Sequence, residues 1–357
     1  MIVTVTLGVL CVILAYLSKF RNTRWGLKGA FFLIFIFLAF RYDFGNDYRA
    51  YFYNFIDINR YNNIDFFDEY FHAEVGWIIL NRLFGAFGFF AMIAMLALFN
   101  SIVYYRFFNR YLPVKYRWFA MFIYIFDPGF MLLHATAIRQ SVAISIFVIA
   151  LDFLYKKKAI QYFALIGLAS VFHTSAIILL PAYLLNFFNW KINKINATIF
   201  ILIFLSLFFM PVSFMPFLND FISNYFERYE SYQSAGVVGS GLGVAFLFVL
   251  FIVVLYYAPF QEKRRDLVFK ITIIGFMFIP LSLLIQLIGR IGMYFAPATM
   301  ITYPIILTNI DKYKNKLIFA GSLIFMTLYT FIQFFYSELW RDAFGTYHTI
   351  FSSDKIY

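Results

Sequence analysis

Two arginines of this chain stand in apolar surroundings, away from its clusters of basic residues. Arg139 lies at the start of the apolar stretch 137–155, and Arg290 lies between Gly289 and Ile291. An ionisable group in such a position usually faces a cavity or a partner. A guanidinium stays charged at any relevant pH and binds phosphate oxygens through paired N–H donors, so two of them are enough to neutralise a diphosphate. The alternative is that each arginine reaches out to lipid phosphate.

Three other side chains are candidates for a general base. His173 lies between Phe172 and Thr174, and a neutral imidazole can take a proton from a hydroxyl near pH 7. The alternative for His173 is that it only caps a backbone group. Asp47 and Glu74 are carboxylates placed where an acidic, aromatic segment meets apolar stretches. The sequence does not choose among these three.

The composition indicates that most side chains of this chain are surrounded by a lipid bilayer rather than by water. Of 357 residues, 63% are apolar and 13% are charged, and the mean hydropathy is +0.78. Soluble chains average about 45–50% apolar and about 25% charged residues. Apolar stretches of spanning length, separated by polar loops, predict an all-α polytopic membrane protein with about twelve transmembrane helices.

The basic residues orient this predicted bundle. The net charge is +11, but Lys and Arg occur in short clusters between apolar stretches, which argues against nucleic acid as a partner. When loops are assigned alternately to the two sides, one side holds 20 of the 29 basic residues. That side is predicted to be cytoplasmic, so both termini face outward. We expect one integral membrane domain over 1–357, with outer segments at 41–74 and 217–239 and an outer C-terminal tail at 337–357.

Two stretches need special treatment in this count. Residues 159–188 are predicted to form a hairpin that turns near His173, with arms of about 14 residues that are too short to cross the bilayer. His173 is therefore expected inside the bundle. Residues 75–105 are predicted to cross once, and the part from Glu74 to Phe84 is a candidate interfacial or re-entrant half-helix because Gly85 and Gly88 interrupt the stretch.

The predicted outer side carries the residues that suit chemistry. Segment 41–74 combines seven acidic residues with many Tyr and Phe. Aromatic faces beside carboxylates suit a sugar, whereas the alternative is an aromatic belt with solvated acids. The predicted cytoplasmic loops are short and have no Gly-rich phosphate loop, so the energy is expected to come with an outward substrate. A single Cys11 and the lack of Asp-x-Asp or Glu-x-Asp pairs in the outer segments predict no metal.

Four segments together resemble the EpsG-like branch of the Wzy polysaccharide polymerases. They occur in the same order as in that family, over about residues 30 to 310, and this chain has Asn46 where the family more often has Thr or Ser. The segments are Arg41 to Tyr48, which ends in Gly-x-Asp-Tyr, then Ile138-Arg139-Gln140, Phe172 to Ala176, and Gly289 to Phe295.

The resemblance implies an enzyme with a GT-C-like bundle and no metal or cofactor. Such a polymerase is an inverting glycosyltransferase that joins undecaprenyl-pyrophosphate-linked oligosaccharide repeat units. It would act in a bacterial cytoplasmic membrane, at the outward face, which is periplasmic in a Gram-negative cell. Expected partners are the lipid-linked oligosaccharides, membrane lipid and, as a candidate, a chain-length regulator protein.

On this basis we expect Arg139 and Arg290 to hold the donor pyrophosphate while His173, Asp47 or Glu74 removes the acceptor proton. Further expected substrate neighbours are Arg41, Tyr48, Gln140 and Tyr294. Two other functions compete. A lipid-linked saccharide flippase would show repeated halves and ionisable residues near the bilayer midplane, and a membrane acyltransferase would need a cytoplasmic site for acyl-CoA.

Overall fold

The chain folds almost entirely into helices in a computed structural model, which confirms the predicted all-α class. The structure describes residues 1–21, 25–60, 74–187, 193–209, 241–257, 263–282 and 286–352. The predicted outer segment 217–239 lies outside the described residues, as does part of segment 41–74. The chain divides into two compact units, Met1–Ile177 with Asp311–Tyr357, and Ile178–Ile310.

The first unit holds most of the helices. Its described helices are α1 Ile2–Arg21, α2 Trp25–Ala39, α3 Tyr48–Arg60, α4 Val75–Leu83, α5 Phe89–Tyr111, α6 Arg117–Phe126, α7 Leu133–Thr136, α8 Ile138–Tyr155, α9 Ala159–Phe172, α15 Tyr313–Tyr336 and α16 Glu338–Phe344, with a 3-10 helix at Val114–Tyr116. Two short strands, β1 Arg41–Tyr42 and β2 His348–Thr349, pair antiparallel. A second 3-10 helix, Thr174–Asn186, follows α9 and continues into the second unit, which begins at Ile178.

Helix α8 lies at the centre of the first unit. Thirteen of its 18 residues are buried, and it packs against α5, α7 and α9. Its apolar residues are not confined to one face, which is typical of a helix in an interior rather than at a surface. Around it, α2 packs on α1 and α5, and α4 packs on α3 and α9. The short α4 is thereby fixed beside α9, which matters for the site.

The second unit is built around one long helix. Its described helices are α10 Lys194–Phe208, α11 Gly241–Tyr257, α12 Lys263–Ser282, α13 Gln286–Gly292 and α14 Pro297–Asn309. Helix α12 packs against the other four. A hydrogen bond of 2.7 Å between the hydroxyls of Thr272 and Thr302 joins α12 to α14. Such a bond satisfies two polar groups inside an apolar core.

Four helices among the described residues are long and apolar enough to cross a bilayer. These are Ile2–Phe20 within α1, then α5, α8 and α15. Shorter apolar helices also occur, at α2, α9, Thr174–Asn186, α10 and Gly243–Tyr257. A multi-pass membrane protein is therefore supported. The count of about twelve crossings, the GT-C-like arrangement, the sides of the termini and the single membrane domain stay predictions.

Several helices begin and end where hydropathy alone does not place them. The stretch 75–105 contains two helices, because the chain leaves α4 after Leu83 and enters α5 at Phe89 through Gly88, whose φ of +89° favours glycine. The half-helix suggested for Glu74 to Phe84 is thus a separate helix. The apolar stretch that starts at residue 175 forms the 3-10 helix Thr174–Asn186 rather than an α-helix as far as it is described, and Pro181 inside it has no N–H to donate.

The C-terminal segment folds back onto the start of segment 41–74. Strand β2 places Thr349 opposite Arg41. The Tyr347 ring stacks on Phe37 with centroids 4.5 Å apart, and its hydroxyl donates to the Phe37 carbonyl at 2.6 Å. The N–H of Gly45 donates to the Ala343 carbonyl at 3.0 Å. The residues that lead into α3 therefore pack against the segment Ala343–Thr349.

Candidate functional site

Three of the predicted site residues meet at the start of α4, within the first unit. One carboxylate oxygen of Glu74 accepts a hydrogen bond from the Arg139 guanidinium. Its other oxygen, Oε1, lies 3.2 Å from Nδ1 of His173 and 3.4 Å from the backbone nitrogen of Thr174. One carboxylate therefore joins α4, the start of α8 and the junction that follows α9.

A glycine allows this meeting. A Cβ atom on Gly76 would lie 2.7 Å from Cγ1 of Val171 and 2.8 Å from the Val171 carbonyl oxygen. Both distances are below normal van der Waals contact, so only glycine lets α4 approach α9 this closely. Glu74 occupies the N-cap position of α4 but makes no side-chain cap there. Its carboxylate instead accepts a hydrogen bond from the backbone N–H of Thr174, the first residue of the 3-10 helix after α9. Negative charge is favoured at the N-terminus of a helix.

His173 lies at the break between α9 and the following 3-10 helix. Its backbone is extended, with φ −154° and ψ 108°, and its side chain is buried, with 8% of the residue exposed. An ionised carboxylate can only accept, so Nδ1 carries the proton of its hydrogen bond with Glu74, and the neutral ring has its lone pair on Nε2. Within the described part of the chain, Nε2 makes no hydrogen bond. The ring is therefore arranged to accept a proton at Nε2.

Arg139 is the second residue of α8. Its side chain is 27% exposed, so a ligand can reach the guanidinium although most of α8 is buried. Besides Glu74, the guanidinium hydrogen-bonds to the hydroxyl of Tyr51. A short turn at Ala137, with φ −88° and ψ 65°, separates α8 from α7 and sets where the first turn of α8 begins.

The pairing keeps Glu74 charged. Burial raises the pKa of the Glu74 carboxyl, but the hydrogen bond with His173 and the positive charge of Arg139 together outweigh burial and lower the pKa to about 2. A carboxylate with so low a pKa is a weak proton acceptor near neutral pH. Glu74 is better suited to orient the imidazole of His173 and to stabilise its protonated form than to act as the base itself.

Asp47 lies one helical turn before Tyr51, the tyrosine that hydrogen-bonds with Arg139. It directly precedes α3, and its carbonyl accepts from the N–H of Tyr51 at 3.0 Å. Its side chain accepts from the Asn46 amide at 3.2 Å, and its charge acts on the phenol of Tyr51. Asp47 thus lies near the site, while Glu74 and His173 are the candidates in direct contact with each other.

Three of the expected substrate neighbours are buried in the first unit. Arg41 is 2% exposed and donates to the carbonyls of Leu38 and His134, the latter at 3.2 Å. Burial lowers the pKa of Arg41 to about 10, which leaves it cationic at neutral pH. The Tyr48 hydroxyl donates to the Arg41 carbonyl at 3.2 Å. Gln140 follows Arg139 and is 4% exposed. Their contact with a substrate stays a prediction.

The remaining predicted residues belong to the second unit. Arg290 lies in α13, half-buried. The glycines on either side of it pack closely on α12, because a Cβ on Gly289 would lie 3.4 Å from Cβ of Ser282 and one on Gly292 would lie 3.3 Å from Cβ of Phe278. Tyr294 follows α13 and is fully buried. The expectation that Arg290 and Arg139 hold one diphosphate stays a prediction.

Comparison with known families agrees with the resemblance seen in the four segments. Residues 29–349 match the EpsG family, which is nearly the whole chain. The chain belongs to the EpsG family. This is a family of Wzy-type polymerase-like membrane proteins, and the resemblance predicted from the sequence is thereby confirmed. Neither a curated protein nor a solved structure matches the chain.

One residue at the site of this EpsG-family chain escapes sequence reasoning. Tyr51 on α3 hydrogen-bonds with Arg139 on α8, far away in the sequence. The spacing of the buried residues on α3, which are Tyr48, Tyr51, Phe55 and Ile58, is the signal that places Tyr51 on an inward face. Nothing in that spacing identifies its partner, because segment 41–74 contains many similar aromatic residues.

Proposed function

We propose that this EpsG-family protein joins polyprenyl-diphosphate-linked oligosaccharide repeat units at the outward face of a bacterial cytoplasmic membrane. The carrier is undecaprenyl, and the transfer inverts the anomeric carbon without a metal ion. The observation that supports the proposal best is the contact of one carboxylate, Glu74, with both Arg139 and His173. A cation suited to a diphosphate and an imidazole suited to a hydroxyl are thereby held side by side.

The donor is a lipid-linked glycan whose diphosphate binds to Arg139. Phosphate oxygens accept from a guanidinium more strongly than neutral groups do, so the diphosphate competes with Glu74 for the same N–H donors. Arg290 supplies the second cation of the site in this proposal. With Arg139 engaged by the donor, the whole charge of Glu74 acts on His173 and stabilises the imidazolium that forms during the reaction.

The acceptor is the sugar at the non-reducing end of a second lipid-linked glycan. Its hydroxyl oxygen attacks the anomeric carbon of the donor from the face opposite to the diphosphate, and its proton moves to Nε2 of His173. The bond between the anomeric carbon and the diphosphate oxygen breaks, and its electron pair stays on the diphosphate. Arg139 stabilises the charge that grows there. Loss of one such contact typically costs about 3 kcal/mol, or on the order of a hundredfold in rate.

The proposal is tested with purified protein in liposomes that contain the lipid-linked oligosaccharide. Product chains are separated on a gel, and the ladder length and rate are measured. Arg139→Ala should leave a folded protein that makes no ladder. Arg110→Ala is the matched control, because Arg110 pairs with Asp152 near the opposite end of α8 and that variant also loses an arginine–carboxylate pair. Normal ladders from Arg139→Ala would overturn the proposal.

Gel analysis of the surface glycan distinguishes the competing functions. In a deletion strain, single repeat units on the surface carrier are expected if the protein is a polymerase, whereas a flippase would leave none at the surface. An acyltransferase would change the mass of the repeat unit and not the chain length. We place a chain-length regulator among the candidate partners, since a polymerase of this kind needs its product length set.

A further inference from the structure

Tyr51 lies on α3 and packs against α4, within the first unit. Its residue is 6% exposed, and its ring lies against that of Trp77 on α4, with centroids 5.1 Å apart and planes tilted by 60°. Trp77 is itself fully buried. The Tyr51 backbone N–H is bonded to Asp47. A ring packed in this way has few alternative rotamers, so the position of its hydroxyl is set by α3 and α4.

The hydroxyl of Tyr51 makes hydrogen bonds with both the side chain and the backbone of Arg139. Arg139 is near the N-terminus of α8, where the first four N–H groups have no acceptor within the helix. One oxygen therefore fixes the start of α8 and the guanidinium that leaves it. An arginine side chain has several rotatable bonds, and a second anchor point restricts where its planar donor group lies.

The two anchors of Arg139 differ in charge. Glu74 is an anion and neutralises the guanidinium. Burial raises the pKa of the Tyr51 phenol, so that Tyr51 is neutral under working conditions. A neutral acceptor orients a cation without cancelling its charge, and it does not repel an incoming anion. When a diphosphate replaces Glu74 at the guanidinium, Tyr51 can remain bonded to it.

We infer that Tyr51 is a positioning residue that holds the Arg139 guanidinium in place for the donor diphosphate after Glu74 has been displaced. The inference rests on the proposed function, since it needs a donor diphosphate at Arg139. It adds a residue with a distinct role, because Tyr51 acts only through Arg139 and makes no bond to the reacting atoms.

The test is Tyr51→Phe, which keeps the ring against Trp77 and removes only the hydroxyl. In the liposome assay we expect kcat to fall about tenfold and KM for the lipid-linked donor to rise, with an unchanged melting temperature to within a few degrees. Tyr53→Phe is the control, since Tyr53 lies on the same helix and is half-exposed. It should behave as the wild type.

A double-mutant cycle with Arg139→Lys shows whether Tyr51 acts through the arginine. Lysine keeps the charge but not the planar donor group, so Tyr51→Phe should cause no further loss in that background. If the two effects were independent, the double variant would be slower than the wild type by the product of the two single fold-losses. That result would overturn the inference. Wild-type kcat and KM in Tyr51→Phe, together with an inactive Arg139→Ala, would also overturn it while leaving the proposed function intact. An active Arg139→Ala would instead overturn the proposed function.

Discussion

Nδ1 of His173 lies 3.2 Å from the carboxylate of Glu74, although the two residues are 99 positions apart in the chain. The same carboxylate accepts from Arg139. A base and an anion-binding cation thus share one counter-ion. A substitution that removes the charge of Glu74 should therefore strengthen donor binding but slow proton transfer. These opposite effects would distinguish a functional role of Glu74 from a purely structural one.

Glu74→Gln should bind the donor more tightly and turn it over more slowly. Without its counter-ion, Arg139 is fully available to an anion, so Kd for inorganic diphosphate or the lipid-linked donor should fall about tenfold. Without the carboxylate, the imidazolium of His173 loses its stabilisation, and kcat should fall on the order of a hundredfold. Titration calorimetry gives the first quantity and ladder formation gives the second.

Asp43→Asn is the matched control for that variant. Asp43 accepts from Nε of Arg49 at 2.8 Å, so this substitution also removes a carboxylate that is paired with an arginine. Asn tolerates the positive φ of 48° at this position. Both Kd and kcat should stay at wild-type values. Weaker diphosphate binding by Glu74→Gln would show that Glu74 does not compete with the donor.

The pH dependence of the reaction should distinguish His173 from Glu74 as the base. The pKa of Glu74 is lowered from 4.5 to about 2, so its charge and its stabilising pairing are fully present above pH 4.5 and are lost only as the pH falls through about 2. Glu74 therefore contributes no titration step between pH 5 and 8. A loss of rate on acidification in that window must come from another group.

Initial rates measured between pH 5 and 9 in liposomes test this. Because Glu74 stays ionised throughout this range, we expect Glu74→Gln to retain activity, at a lower overall rate than the wild type, if His173 is the base. A Glu74→Gln protein with no residual activity at any of these pH values would identify Glu74 itself as the base.

The sequence is enough to single out Arg139, Glu74 and His173 as separate candidates, because each is an ionisable residue at the edge of an apolar stretch. It does not reveal that they touch. Their contact depends on the close approach of α4 to α9 at Gly76, a tertiary detail that leaves no periodic pattern in the chain. Nor does it predict that Glu74 would be held too strongly as an anion to serve well as a base.

The helical class is predictable from hydropathy, whereas helix ends are not. A hydropathy average treats Gly88 and Pro181 as ordinary members of apolar stretches. In the fold, Gly88 takes a φ of +89° between two helices and Pro181 lies in a 3-10 helix. These breaks follow from backbone conformation and hydrogen bonding, which an average over side-chain polarity does not measure.

Gly76→Ala should disturb the site by preventing the close approach of α4 to α9. The added methyl would meet the carbonyl oxygen of Val171 at 2.8 Å, and backbone cannot move aside as a flexible side chain can. We expect a destabilisation of about 1–3 kcal/mol, and at least a tenfold loss of polymerisation because Glu74 is pushed away from His173.

Gly167→Ala is the control for that change. Gly167 lies on α9, the helix that Gly76 of α4 approaches. Among the described residues, and apart from the backbone of its own helix, no atom lies within 4 Å of the position that its Cβ would take. Thermal melts in detergent and ladder formation should match the wild type. A Gly76→Ala protein that melts and polymerises like Gly167→Ala would show that the contact between α4 and α9 does not set the site.

Tyr347→Ala should loosen the segment that leads to Asp47 and Tyr51. The variant loses the stack on Phe37 and the hydrogen bond to its carbonyl, together worth about 1–3 kcal/mol, so the melting temperature should fall by several degrees. Strand β1 pairs with β2 next to this residue, so ladder formation should fall too. Tyr336→Ala, at a tyrosine that is 68% exposed, is the control and should change neither measurement.

Tyr347→Phe divides the effect between its two parts. The ring still stacks on Phe37, and only the hydroxyl is lost, so the destabilisation should be about 1 kcal/mol with ladders near wild-type length. If the C-terminal segment supports the site by packing, Tyr347→Ala should be more damaging than Tyr347→Phe. If Tyr347→Ala melts at the wild-type temperature, the strand pairing alone holds the segment, and the tail contributes to the site through β2 rather than through its aromatic contacts.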